Sequence, residues 1–86
     1  MPNLYLVHVN MKKAKAELKS HSILKHNKNQ IRVWVKAENP DSACSLAIKR
    51  ICNDIVEAAR MSKPRAKHFI DKLRHLISVT KVEPAS

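Results

Sequence analysis

Apolar and polar positions repeat along this chain with two different periods, and the switch between them marks the elements. The opening stretch, Leu4-Tyr5-Leu6-Val7-His8-Val9-Asn10, is a nearly unbroken apolar run of β-branched and aromatic residues. It predicts a strand over 4–10 that lies inside a sheet and not at its edge. Residues 30–37 alternate cleanly: Ile31, Val33, Val35 and Ala37 share one face, and Arg32, Trp34 and Lys36 share the other. That period-2 pattern predicts a second strand. Ser78-Val79-Thr80-Lys81-Val82 has strand composition and is expected to close the sheet.

From residue 40 the period becomes helical. Asn39-Pro40-Asp41 supplies an N-cap, a proline at the first helical position and an acid in the first turn. Cys44, Ala47, Ile48, Ile51, Cys52, Ile55 and Ala59 then recur at three- and four-residue steps, predicting a helix over 40–60 that packs this stripe on the sheet. Ser45, Lys49, Arg50, Asn53, Asp54 and Glu57 fall on its wet face, with Asp54 and Glu57 placed to balance Lys49, Arg50 or Arg60. A second helix follows over 62–77, started by Ser62 or Lys63 with Pro64 in its first turn. Its apolar stripe is Ala66, Phe69, Ile70, Leu73, Leu76 and Ile77.

Residues 11–29 support two readings. Lys13 to Leu18 are strong helix formers with Met11, Ala14 and Leu18 at helical spacing, yet Ala14, Ala16 and Leu18 also alternate as in a strand. Ser22-Ile23-Leu24-Lys25 precedes His26-Asn27-Lys28-Asn29, which reads as a hairpin turn into the 30–37 strand. A strand near 20–25 is therefore expected, and 11–19 stays open. The fold class that follows is α+β: a small antiparallel sheet of three to four strands, with two amphipathic helices packed on one face. Residues 1–83 form one domain and 84–86 a frayed tail.

Charge changes the picture most. The 86 residues hold 17 Lys and Arg against 7 Asp and Glu, a formal charge of +10. Self-repulsion at that density opposes folding, so the imbalance points to an anionic partner. Two stretches concentrate it. Residues 11–28 carry Lys12, Lys13, Lys15, Lys19, Lys25 and Lys28 against Glu17, and the second helix presents Lys63, Arg65, Lys67, Lys72 and Arg74 against Asp71. The helix face suits phosphate contacts. It holds few Asn, Gln or Ser residues for base edges, so it does not read as a major-groove helix. The strand triplet Arg32-Trp34-Lys36 suits a single strand, because an indole can stack a base while the flanking cations hold phosphates. The competing role for Trp34 is packing under a helix or against a cross-strand neighbour, with the cations snorkelling around it.

Other chemistry is sparse. There is no glycine, where average usage of about 7% would give roughly six. Gly-rich phosphate loops are thereby excluded, and Asn and Pro are left to make the turns. No cofactor is expected. Cys44 and Cys52 fall on the apolar stripe and read as core thiols; neither C-x-x-C nor H-x-x-x-H spacing occurs, so no metal site is expected. His68 and His75 lie seven apart on the basic helix and could serve a metal-independent ribonuclease, but no paired carboxylate or nucleophile-plus-base pattern accompanies them. No apolar run approaches the ~20 residues of a membrane span, and the N-terminus lacks a signal-type apolar region. The reading is a small, non-catalytic, cytoplasmic nucleic-acid-binding protein with a regulatory or accessory role, its partner DNA, RNA or a nucleoprotein complex. A sheet edge gives it a route to a homodimer. The first alternative is an inhibitor or adaptor of phage or plasmid type that docks on an acidic or nucleoprotein surface. The second is the ribonuclease.

Overall fold

A computed structural model of the chain describes residues 2–85. Its elements run β1 (Asn3–Asn10), α1 (Lys12–Ser20), β2 (Gln30–Ala37), α2 (Pro40–Ala58), α3 (Lys63–Arg74) and β3 (Ser78–Pro84). The sheet has three strands in the order β2-β1-β3, with both pairings antiparallel. The apolar run of β1 is thus the central strand. Tyr5, Val7 and Val9 on its inner face pair with Val35, Val33 and Ile31 of β2, and Val7 and Val9 also pair with Val82 and Val79 of β3. A bulge in β3 near His8/Val9 leaves Thr80 out of the register, and its hydroxyl donates to the His8 carbonyl at 3.3 Å.

The three helices contribute to a core on that inner face. α2 brings Ala43, Ala47, Ile51, Cys52, Ile55 and Val56, α3 brings Phe69 and Leu73, and α1 brings Ala14 and Leu18. Fully burying a side chain such as Ile51 or Ile55 stabilises the domain by about 1.5–3 kcal/mol. The stripe of α2 is rotated slightly from the sequence expectation: Ala43 and Val56 are enclosed, while Cys44 is half-buried. As expected, Asn39 caps α2, its side chain accepting from the Ser42 amide at 2.8 Å.

Residues 20–25 do not form a strand. The helix formers of 12–18 win, because Ala14 and Leu18 can bury one turn apart and Asn10 Oδ1 accepts from the first helical amide, Lys12, at 2.9 Å. Past the last turn, the Ser22 amide donates to the Lys19 carbonyl and the Ile23 amide to the Leu18 carbonyl, a Schellman end that packs buried Ile23 near buried Leu18. Ile23 is thus committed to closing α1. No hairpin precedes β2 either, since its partner is β1, and the Met11 amide extends that ladder by donating to the Asn29 carbonyl at 2.8 Å.

Turn chemistry also departs from expectation. The left-handed positions are taken by Ser22 (φ 56), His26 (φ 58) and Arg60 (φ 53), not by Asn or Pro. Arg60 follows α2 in a second Schellman end, with its amide on the Glu57 carbonyl and that of Met61 on the Val56 carbonyl. In both helices the residue after the C-cap, where glycine is favoured, carries a Cβ. At the C-terminus, Pro84 lies opposite Tyr5 and the Ala85 amide donates to the Leu4 carbonyl at 2.9 Å, so the chain stays on the sheet to that point. Ser86, the last residue of the expected tail, lies outside the described residues, as does Met1.

Candidate nucleic-acid interface

With every helix on one side, the other face of the sheet is uncovered among the described residues. The pairing register arranges it in rows. Arg32 of β2 lies opposite His8 of β1, which lies opposite Lys81 of β3. Trp34 lies opposite Leu6 and Leu6 opposite Glu83, while Lys36 lies opposite Leu4. Neighbours within a row are about 4.5–5.5 Å apart. Successive rows lie about 6.6–6.8 Å apart, two residues along the strand. Trp34 is 52% exposed, so it does not sit beneath a helix, and Leu6 is its cross-strand neighbour on β1.

Glu83 is the acid of this face and is already engaged. His8 Nε2 lies 2.9 Å from its carboxylate and Lys81 Nζ lies 2.7 Å away. The Lys81 and His8 hydrogen bonds hold the Glu83 carboxyl well below the usual range, at about 2. Arg32 and Lys36 have no such partner among the described residues.

Two clefts flank β2. One, of about 650 Å³, wraps the strand edge between Trp34, Leu4 and Lys36 on the sheet and Leu46, Lys49 and Arg50 on α2. The Arg50 guanidinium donates to the Trp34 carbonyl, which satisfies a free acceptor of the edge strand. The other, of about 660 Å³, opens where β2 begins, between Arg32 and His8 on the sheet and residues 24–28 of the preceding loop. That loop is clamped by His26 Nε2, 3.1 Å from the Asp54 carboxylate. Asp54 is therefore bonded to the His26 ring and not to Lys49, Arg50 or Arg60.

The remaining candidates lie elsewhere. Lys63, Arg65, Lys67, Lys72 and Arg74 are all exposed on α3, as are His68 and His75 beside them, but α3 packs against α2 and buries Phe69 and Leu73 in the core on the helical side. Lys72 is bound to Glu17 of α1 at 2.9 Å, which ties the two basic helices together. Lys12 and Lys13 are exposed, and Lys15 Nζ donates to Asn29 Oδ1 at 3.0 Å. The structure thus separates the sheet triplet from the helical cations. Cys52 is enclosed, and burial pushes its thiol up to about 11 against the opposing pull of Arg74. No cluster of three or more His, Cys, Asp or Glu side chains able to hold a metal occurs among the described residues. No helix among them is long and apolar enough to cross a membrane.

Several residues of this candidate surface are not singled out by the sequence pattern: His8, Lys81, Leu4, Leu46, Lys49 and Arg50. The signal for His8 and Leu4 was the phase of β1, in which Leu4, Leu6, His8 and Asn10 alternate with the buried set. Comparison of the chain with protein-family models, with curated proteins and with solved structures finds no significant match.

Proposed function

We propose that this protein is a small, non-catalytic nucleic-acid-binding module with a regulatory or accessory role, taking a single strand across its open sheet face. The observation that carries the reading is Trp34, half exposed on an uncovered sheet between Arg32 and Lys36, neither of which has an ion-pair partner among the described residues. Base stacking on an exposed aromatic contributes about 1–3 kcal/mol per base and tolerates any sequence. Arg32 and Lys36 stand two residues to either side of Trp34 on one face, where cations can hold the phosphates that flank a stacked base. The α1 and α3 cations supply a second positive surface that raises the local concentration of any polyanion.

A second reading is favoured by one feature. Leu4, Trp34 and Leu46, three large apolar residues at 41%, 52% and 42% exposure, line a single cleft beside Lys36, Lys49 and Arg50, whose three cations outnumber its one acid, Asp54. An acidic protein with an apolar anchor suits that arrangement, as an inhibitor or adaptor role requires.

Trp34 is the sole tryptophan, so its fluorescence reports the sheet face alone. Titration with single-stranded oligonucleotide should quench it, with less effect from a duplex of the same sequence and with affinity falling as salt rises. RNA incubated with the protein in EDTA should stay intact. Emission that stays constant while the oligonucleotide binds would move the interface to the helical cations. Absence of binding at low salt refutes the proposal and leaves the acidic-protein reading.

A further inference from the structure

The cleft at the start of β2 is concave, lined by cations and braced by its loop. Lys25, Lys28 and Arg32 converge on it, and none of their side chains has an ion-pair or hydrogen-bond partner among the described residues. His8 and His26 also line it, while their carboxylates, Glu83 and Asp54, do not, and no other acid forms its wall. Low-dielectric walls of one sign focus the potential inside such a cleft.

The loop that completes it is held in place. The Asn27 amide donates to the Leu24 carbonyl at 3.3 Å, Asn27 Nδ2 donates to the Ile23 carbonyl at 3.3 Å, and the Lys28 amide reaches the His26 carbonyl at 2.9 Å. His26 holds a left-handed backbone between the two lysines while its ring is anchored to α2 through Asp54. A non-glycine residue in that region is strained by about 1–3 kcal/mol and persists where its surroundings enforce it. The backbone that carries Lys25 and Lys28 is therefore fixed at the residue between them. Leu24 stands at the rim 89% exposed, an aliphatic surface with no packing role.

We propose that this cleft binds the phosphate of a nucleotide, with Lys25, Lys28 and Arg32 holding the phosphoryl oxygens and Leu24 covering the sugar or base. The inference rests on the single-strand reading and deepens it. Arg32 is shared by the cleft and by the row next to Trp34, so a strand stacked on Trp34 has a phosphate delivered to the cleft one row away. Its volume lies within the roughly 300–1,000 Å³ of small-ligand sites, ample for one nucleotide. The phosphate is either a terminal monoester or an internal diester, and the cations suit both.

The test uses the full chain, labelled with nitrogen-15. Thymidine 5′-monophosphate should shift the backbone amides of residues 24–28 and 30–32, and thymidine should not. Joint replacement of Lys25, Lys28 and Arg32 by alanine should abolish those shifts without unfolding, because all three side chains are exposed. The same variant should bind single-stranded oligothymidylate at least tenfold more weakly, with a salt slope lower by roughly 0.7 for each phosphate contact removed. Tighter binding of a 5′-phosphorylated than a 5′-hydroxyl oligonucleotide assigns the cleft to a terminal phosphate, and equal binding assigns it to an internal one. Equal shifts from thymidine, no shifts from the monophosphate, or shifts as large from oligoglutamate would each overturn the inference. Quenching of Trp34 by oligonucleotide without monophosphate shifts discards the cleft and leaves the strand reading standing. Monophosphate shifts without quenching do the reverse.

Discussion

Replacing Trp34 by alanine separates a structural indole from a functional one, because the two roles predict different losses. An enclosed aromatic buries about 150–250 Å². Trp34 is 52% exposed, so only about half of that, near 100 Å², is covered. At ~25 cal/mol per Å² the burial is worth about 2.5 kcal/mol. Residual structure in the unfolded chain and the contact that alanine retains lower it, leaving an expected loss of about 1–2 kcal/mol. A core aromatic truncated to alanine loses about 3–5 kcal/mol. In a domain of this size the smaller loss lowers Tm by roughly 4–16 °C, which calorimetry or circular dichroism reads directly. Affinity for single strands, measured by anisotropy of a labelled oligonucleotide, should fall by about 1–3 kcal/mol, roughly 5- to 150-fold. Trp34→Phe should restore part of it, since a smaller ring still stacks. A folded Trp34→Ala protein with unchanged affinity rules out stacking. A stability loss of 3 kcal/mol or more shows that the indole holds the sheet together.

Ile51→Asp should unfold the domain, because it places an unpaired carboxylate in a fully enclosed site, whereas Lys49→Asp on the exposed side of α2 should leave it folded; equal Tm values for the two contradict the packing of α2. Ser22→Gly and Arg60→Gly should each stabilise by about 0.5–1 kcal/mol in denaturant melts, since relief of the left-handed backbone exceeds the entropy that glycine adds to the unfolded chain; destabilisation by either would place the value of that side chain above its strain. The Glu83 carboxyl is lowered from 4.5 to about 2, so its contribution is fully present above pH 4.5 and is lost as pH falls toward 2. Glu83→Gln should therefore flatten the stability profile across that window; an unchanged acid limb would show that the carboxylate gains nothing from Lys81 and His8.

What could be read from sequence was what is decided locally. The Asn39-Pro40-Asp41 start of α2 is legible because the cap, the fixed φ and the first-turn acid all act within four residues. The faces of β2 are legible because alternation needs no partner. Residues 20–25 were not, since Ile23 has a strand-forming side chain but its amide and its packing are both spent on ending α1. Nor was the left-handed backbone at Arg60, a residue with no intrinsic preference for it, which is imposed by the need to turn from α2 into α3. The candidate interface was half visible. Arg32, Trp34 and Lys36 share a face by periodicity, but their row partners His8, Leu6 and Leu4 follow only from the register with β1.

The separation of the cations into two surfaces bears on what the charge is for. On the helical side the positive charge is partly occupied within the fold, with Lys72 on Glu17 and Lys15 on Asn29. On the sheet side Glu83 engages Lys81 and His8, and among the described residues Arg32 and Lys36 have no such partner on either side of an exposed indole. Folding alone does not favour that combination. An exposed Trp gains little from a bare sheet, and nearby cations gain nothing from one another. A ligand with a flat apolar surface and regularly spaced negative charge satisfies both at once. A bare polyanion satisfies only the cations, and an apolar partner only the indole. The residue that decides between these is Arg32, because it belongs to the Trp34 side of the sheet and to the braced cleft at the same time. Its removal should weaken a stacked single strand more than it weakens a duplex held through the helical lysines.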